Sequence, residues 1–157
     1  MTAMIHLRDV IEDDVAVFYE HQRDVVAARM AAFGTRDPDV DQLAARMKKS
    51  LADRSTTQKA ILEGGQVVGL VATFVHESKL QVTYWIARSH WGRGIASAAL
   101  SELLRSVTTR PLYASAARDN LASLRVLEKC GFVAYGVEKS FATARDEEVE
   151  EVFLELR

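Results

Sequence analysis

The chain has 157 residues, which suits one domain with a buried core, and 48% of them are hydrophobic. Its 22 acidic and 20 basic side chains leave a formal charge of −2, so no global basic field favours nucleic acid or an acidic membrane. A single cysteine, Cys130, excludes an intramolecular disulfide, and four scattered histidines predict no metal site. No apolar run is long enough to cross a bilayer. We therefore expect one soluble, cytoplasmic domain over residues 1–157.

The N-terminal region predicts a strand followed by a helix. Residues 5–8 alternate apolar and polar side chains, as a half-buried strand does. Asp13 and Asp14 then offer an N-cap and negative charge to the first turn of a helix. The apolar side chains that this helix should turn inward are Val17, Phe18, Val25, Val26 and Met30.

A second helix and three strands follow. The chain turns between Gly34 and Pro38, and Asp39 begins an amphipathic helix. Its apolar positions at i, i+4 and i+8 are Leu43, Met47 and Leu51. Strands that should pair antiparallel are predicted over residues 58–63, 66–75 and 80–87, with turns at Gly64–Gly65 and His76–Lys79.

The segment Trp91–Ala96 joins the last of these strands to another amphipathic helix. Apolar residues recur at i+4 in that helix, at Ile95, Ala99, Leu103 and Val107. Helix N-termini carry N–H groups without intrahelical partners, and glycine lets a ligand approach the backbone, so this junction predicts a phosphate site. The remaining elements are predicted as strand 111–117, helix 120–130, and strands 132–140 and 148–156.

Two segments together resemble the GCN5-related N-acetyltransferase (GNAT) superfamily. The family's acyl-CoA motif, Gln/Arg-x-x-Gly-x-Gly/Ala, has its counterpart in Trp91-x-x-Gly94-x-Ala96. Downstream, Asn120-x-x-Ser123 leads to a Lys-Cys-Gly-Phe ending. With the Tyr-Trp-Ile strand, these motifs look most like the branch that contains ribosomal-protein N-terminal acetyltransferases. The resemblance implies the α/β GNAT fold, a mixed and mostly antiparallel sheet with splayed central strands, flanked by helices.

The resemblance also implies acetyl-CoA as the acyl donor. The residues that it predicts to bind the donor are Tyr84, Trp85, Ile86, Gly92, Arg93, Gly94, Ile95, Ala96, Asn120 and Ser123. Tyr84 and Trp85 face opposite sides of their strand, so one should pack in the core and the other line the acceptor pocket. A main-chain N–H near Ile86 is the candidate oxyanion donor. Asn120 either bonds the pantetheine amides or caps its helix, and Arg93 points either to phosphate or to water.

The catalytic residues are where this chain departs from the family pattern. Gln81 stands where branch members often carry Glu, and Leu127 stands where many carry a Tyr that protonates the leaving thiolate. The options for the acid are Ser123, water or none. The nearest titratable groups for a base are His76 and Glu77, which are also typical of a solvated turn.

These features predict an acetyl-CoA-dependent N-acetyltransferase that transfers acetyl directly to the amine of a peptide N-terminus or a small molecule. Deprotonating a lysine amine at pH 7 takes roughly 4.6 kcal/mol, because its pKa is about 10.4. An α-amine takes only about 1 to 1.4 kcal/mol. A weak or absent base therefore favours an α-amine or another amine of low pKa as the acceptor. Dimerisation is expected by analogy alone.

Two alternatives stay open from the residues. Gln81 and Leu127 suit a non-catalytic acyl-CoA-binding regulatory module. An unrelated nucleotide-binding domain is weaker, because the chain has neither G-x-G-x-x-G nor a Walker Lys-Ser/Thr after its glycines. The acidic residues Asp37, Asp39 and Asp41 either attract a cationic acceptor or serve as helix caps.

Overall fold

The computed structural model describes residues 4–33 and 39–157, within which seven strands form one sheet in the order β1-β2-β3-β4-β5-β7-β6. The strands are β1 (His6–Asp9), β2 (Gln58–Glu63), β3 (Gln66–His76), β4 (Lys79–Ile86), β5 (Leu112–Ala117), β6 (Val133–Ala142) and β7 (Glu147–Leu156). The helices are α1 (Asp14–Gln22), α2 (Val25–Ala31), α3 (Val40–Ala52), α4 (Ile95–Ser106) and α5 (Leu121–Lys129), with a short 3-10 turn at Arg88–His90. The predicted turn at 34–38, with Asp37, lies outside the described residues.

The sheet is mixed and mostly antiparallel, which confirms the predicted α/β class. Among the described strands, only β4 and β5 run parallel to each other. Helices α4 and α5 cover one face of the sheet, and Ile95, Ala99 and Leu103 of the stripe predicted for α4 are buried there. Val107 follows the end of α4 as its C-cap and is half-buried. Helices α1 and α3 pack on the other face, where Phe18, Leu43 and Met47 form a smaller core. Within the described residues, no helix has the length and apolarity needed to span a membrane.

The single helix predicted after residue 13 is in fact two helices. Asp24 has an extended backbone, and its Oδ1 accepts hydrogen bonds from the N–H groups of Val26 (3.0 Å) and Ala27 (3.2 Å), which starts α2. Because the helix is interrupted, the side chains of α2 do not continue the inward-facing positions of α1. The prediction that Val25, Val26 and Met30 point inward was therefore wrong, because they are 64%, 48% and 40% exposed. The small residues Ala27 and Ala28 face the sheet instead. Leu51, predicted to lie inward on α3, is also exposed.

Asp14, rather than the N-cap residue Asp13, satisfies the start of α1. Asp13 makes no side-chain capping bond, whereas the Asp14 carboxylate accepts a hydrogen bond from the Ile11 N–H at 2.9 Å. It also receives two bonds from the Arg8 guanidinium, at 2.7 and 2.9 Å. The Asp14 side chain is only 4% exposed, so the pair joins β1 to α1. The hydrogen bonds from Arg8 hold the pKa of Asp14 below its usual value, with a further contribution from the Ile11 N–H.

Replacing Asp14 by Asn should lower the free energy of unfolding at pH 7 by about 1–3 kcal/mol, because Arg8 loses a charged partner in a mostly buried position. A carboxylate with a depressed pKa stabilises the fold above the unfolded pKa of about 3.9 and loses this effect as the pH falls. The stability gap between wild type and Asp14→Asn, measured by urea unfolding, should therefore narrow in acid. The exposed neighbour Asp13→Asn is the control, and an equal loss there would contradict this assignment.

The turn between β3 and β4 holds two residues in the left-handed region without glycine. Glu77 has φ of 50° and Ser78 has φ of 64°. A side chain at such a φ is disfavoured by roughly 1–2 kcal/mol, and glycine removes that penalty.

The variant Ser78→Gly should therefore raise the free energy of unfolding by up to about 1 kcal/mol, since the greater freedom of glycine in the unfolded chain offsets part of the gain. Gly65→Ala is the matched opposite change, because Gly65 has φ of 80° in the neighbouring β2–β3 turn. Gly65→Ala should lower the free energy of unfolding. Urea unfolding of both variants checks the pair, and a loss of stability in Ser78→Gly would show that the turn is not strained.

Candidate active site

The central feature of the site is an opening between β4 and β5. These parallel strands are bridged only at Gln81 and Tyr113, near the beginning of each strand. Beyond that bridge, toward the C-terminal ends of both strands, they have no pairing with each other. The inner edge of β4 therefore presents backbone groups in the middle of a sheet, which an extended chain can pair with as an added strand.

The direction of the β4 backbone groups follows from its pairing with β3. The Ala87 N–H donates to the Val68 carbonyl at 2.8 Å, and the Trp85 carbonyl faces Gly69 so closely that a Cβ there would lie 2.4 Å away. Because successive N–H groups point to opposite edges of a strand, those of Tyr84 and Ile86 face the opening. These are the donors available to a thioester carbonyl or a pantetheine amide.

The turn between β4 and α4 forms the second part of the site. Gly92 and Gly94 have φ of 74° and 75°, a region that favours glycine. Gly94 is the N-cap of α4, and no side chain caps the helix. The first intrahelical bond runs from the Ala98 N–H to the Gly94 carbonyl, so the N–H groups of residues 95–97 have no intrahelical partner. This uncapped terminus suits the pyrophosphate of an acyl-CoA.

Two neighbouring side chains hold this turn in place. The indole Nε1 of Trp91 donates to the Ile86 carbonyl at 2.8 Å, which ties the turn to the end of β4. Arg93 lies 3.0 Å from the Glu63 carboxylate at the end of β2. The guanidinium is therefore paired with a carboxylate, which leaves the backbone N–H groups as the main candidate donors to a phosphate.

The start of α5 borders the opening, and Asn120 caps that helix. Its Oδ1 accepts from the Ser123 N–H at 3.2 Å, and its Nδ2 donates to the Met30 carbonyl at the end of α2, at 3.3 Å. Leu127 on the same helix is buried in the core and offers no proton. Burial raises the pKa of the Cys130 thiol, which is consistent with a buried apolar role rather than with a nucleophile.

A Tyr84–Ser123 pair joins the two walls of the opening. The Tyr84 hydroxyl lies 2.6 Å from Ser123 Oγ and also donates to the Ser123 carbonyl at 3.2 Å. Tyr84 therefore points toward α5, while its neighbour Trp85 points to the α1 face. Burial raises the pKa of Tyr84 to about 12, an effect that the hydrogen bond from Ser123 partly offsets. Sequence patterns did not reveal this pair, although the alternation along β4 indicates that Tyr84 and Trp85 diverge.

Two buried polar atoms without partners belong to α1 and to β4, on the α1 side of the sheet. Within the described residues, Trp85 Nε1 and His21 Nδ1 have no hydrogen-bond partner. Burial lowers the pKa of His21, with an additional effect from nearby His90. Unpaired buried polar atoms are rare, and they commonly mark positions where water or a ligand supplies the partner. This face is the candidate acceptor side.

The two predicted bases do not lie at this opening. His76 and Glu77 occupy the exposed β3–β4 turn, on the far side of the Gln81–Tyr113 bridge from the splayed ends. The strand carries them away from Ser123 and from the α4 N-terminus. Asp39 caps α3 by accepting from the Gln42 N–H at 2.8 Å, which is the capping role considered for it.

Comparison with known proteins identifies the family. A family model described as "Acetyltransferase (GNAT) domain" matches residues 5–133. The fold is shared by spermidine N-acetyltransferase from Vibrio cholerae with CoA and spermine (21% identity, 96% of this chain and 95% of that one, TM-score 0.78). It is also shared by ribosomal-protein-alanine N-acetyltransferase from Brucella melitensis (21% identity, 96% of this chain and 98% of that one, TM-score 0.82). A third structure with this fold is the phosphinothricin acetyltransferase from Sinorhizobium meliloti with AcCoA (20% identity, 99% of this chain and 88% of that one, TM-score 0.83). No curated protein matches the chain.

The family match settles the class of protein. The chain belongs to the GNAT acetyltransferase family, as its sequence motifs indicated. It is an acyltransferase that uses acetyl-CoA to acetylate an amine, and nothing in the match supports a non-catalytic module.

The raised pKa of Tyr84 makes a testable statement about stability. Between pH 10 and 12 the unfolded chain ionises this phenol, at about 10, while the folded chain keeps it protonated, so stability should fall as the pH rises through this range. The full effect is roughly 2–3 kcal/mol. Urea unfolding should show a steeper alkaline loss in wild type than in Tyr84→Phe, with Tyr19→Phe as the control. If the free energy of unfolding fell equally between pH 10 and 12 in all three proteins, the pKa of Tyr84 would not be raised by folding.

Proposed function

We propose that this chain transfers acetyl from acetyl-CoA to an α-amine, either at a peptide N-terminus or on a small molecule. One observation carries the proposal: the open inner edge of β4 leads directly to the uncapped N-terminus of α4. An extended pantetheine arm and a pyrophosphate require these two features in this order. The residues present therefore suit the donor.

The donor-binding roles follow from the backbone. The N–H groups of residues 95–97, with the turn at Gly92–Gly94, hold the pyrophosphate. The N–H groups of Tyr84 and Ile86 pair with the pantetheine arm and polarise the thioester carbonyl. The Asn120 amide is engaged as a cap on one oxygen lone pair, so a pantetheine contact there uses its second lone pair or second N–H.

Transfer is direct, without a covalent enzyme intermediate. The amine nitrogen attacks the thioester carbon, the C–N bond forms, and the C–S bond breaks as the thiolate departs. Ser123 is the proposed proton donor to that thiolate in place of the missing tyrosine at Leu127. Tyr84, hydrogen-bonded to Ser123 at 2.6 Å, remains protonated at neutral pH and can resupply the proton.

The acceptor follows from the weakness of the base. Gln81 cannot accept a proton, and His76 and Glu77 lie outside the opening, so an amine that is already partly neutral at pH 7 is favoured. The fold shared with a ribosomal-protein-alanine N-acetyltransferase supports a peptide N-terminus as the acceptor. A homodimer and a cytoplasmic location remain predictions.

The first test measures binding and turnover separately. Acetyl-CoA at about 100 times its Kd should stabilise the protein by roughly 2.7 kcal/mol, whereas NAD and ATP should not. Peptides with a free N-terminus should then be acetylated faster than N-blocked peptides with a free lysine. Fast reaction on lysine with none on α-amines would overturn the choice of acceptor.

Gly94→Ala should weaken acetyl-CoA binding by about tenfold or more, because a side chain at its positive φ strains the turn that presents the N–H groups. Gly65→Ala is the matched control, since both glycines have positive φ and an added Cβ at either site meets no atom within 4 Å. Calorimetric titration with acetyl-CoA checks both variants. Equal affinity of the two variants for acetyl-CoA would show that the turn before α4 does not bind the donor.

A further inference from the structure

The proposed reaction lacks a proton acceptor, and β5 places a side chain where one is needed. Leu112 and Ala114 of β5 are buried in the core under α4 and α5. Strand alternation therefore turns Tyr113 and Ser115 to the opposite face, which is the acceptor side. Ser115 lies beyond the Gln81–Tyr113 bridge, so it borders the splayed part of the opening.

A carboxylate from the next strand reaches Ser115. Glu151 of β7 pairs in register with Ala117, which places it on the same face as Ser115 and diagonally next to it. Ser115 Oγ donates to Glu151 Oε2 at 2.6 Å, a distance typical of a hydroxyl bonded to an ionised carboxylate. This bond draws the half-buried carboxylate toward β5 and the opening. The other carboxylate oxygen, Oε1, keeps lone pairs that can accept a proton.

The charges around Glu151 also suit an incoming ammonium group. Glu138 of β6 lies directly opposite Glu151, and like charges in that position repel each other. Neither carboxylate has an ion pair within the described residues, whereas nearby Glu150 is paired with Arg118. At the end of this face, Arg145 donates two hydrogen bonds to the Asp119 carboxylate, so these two residues pair with each other. Lys79 of β4, toward the bridged end, lies over the Tyr113 ring at 4.9 Å.

From this geometry we infer that Glu151, oriented by Ser115, accepts the proton of the amine substrate. The inference rests on the proposed function and assigns the role that Gln81 leaves open. The ammonium group transfers one proton to the free Glu151 oxygen, and its nitrogen lone pair attacks the thioester carbon. As the C–S bond breaks, the thiolate takes one proton from Ser123, which Tyr84 resupplies. The nitrogen loses its second proton to water as the amide forms, and water reprotonates Tyr84. Glu151 then releases its proton to water, so one proton is released for each acetyl group transferred. Ser115 is a positioning residue.

The test uses Glu151→Gln, which keeps an oxygen for Ser115 but cannot accept a proton at neutral pH. The acetyl-CoA thermal shift should be unchanged, while kcat/KM for a peptide α-amine at pH 7 should fall about 10²-fold. The difference in kcat/KM between the variant and the wild type should become smaller as the pH approaches the pKa of the amine, because more of the substrate is then already neutral. It should also shrink with an acceptor of lower amine pKa.

Three further variants separate this role from a structural one. Glu148→Gln changes an exposed carboxylate on the opposite face of β7 and should leave kcat/KM within about twofold. Ser115→Ala should lower kcat by about tenfold, a loss of one hydrogen bond, and Ser115→Thr should restore it. Glu138→Gln should raise KM for a cationic acceptor without changing the shape of the pH profile.

The outcomes distinguish this inference from the proposed function. Turnover by Glu151→Gln at the wild-type rate across the pH range would overturn the inference and leave the proposed function standing. A loss that is the same at every pH would also overturn it, because it would indicate a packing role. Absence of any acetyl-CoA shift in the wild-type protein would instead remove the proposed function itself, and the inference with it.

Discussion

The contact between β4 and β5 is the constraint on which the rest of the site depends. β4 is paired with β3 along the whole length of β4, and β5 is paired with β7 along the whole length of β5. The two halves of the sheet nevertheless meet at a single pair, Gln81 and Tyr113. An interruption of this kind leaves backbone N–H and C=O groups that water or a ligand must satisfy. In the proposed donor complex, an extended acyl-pantetheine chain satisfies them as an added strand would. Strong pairing on both sides keeps the opening in place.

The two faces of the opening carry different chemistry because side chains alternate along the strands that line it. On the α4–α5 face lie the uncapped N-terminus of α4 and the Tyr84–Ser123 pair, to which we assign the donor and its leaving thiolate. On the α1 face lie Ser115 and Glu151, to which we assign the amine. In this proposal the sheet separates the carboxylate that attracts the acceptor from the backbone N–H groups that bind the phosphates.

Where the sequence predictions failed, a short-range competition or a strand direction was responsible. The helix predicted to run on past Gln22 breaks because the Asp24 carboxylate takes the N–H groups of Val26 and Ala27, a competition typical of aspartate within a helix. His76 and Glu77 are close to Gln81 in sequence, but the strand carries them to the closed end of the opening. The α4 stripe and the glycine turn were predicted correctly, because both depend on local periodicity and backbone preference.

By itself the sequence determined the order of most elements, the glycine turn before α4 and the GNAT family, because each depends on a pattern of residues that are close in sequence. Only the tertiary structure decided which side chains meet around the opening. Tyr84 and Ser123 are 39 positions apart, and Ser115 and Glu151 are 36 apart, so no local spacing announces either pair. Strand register brings the second pair together, and a shift of one residue would turn every side chain of a strand to the other face. That register is set by the packing of the whole sheet against its helices.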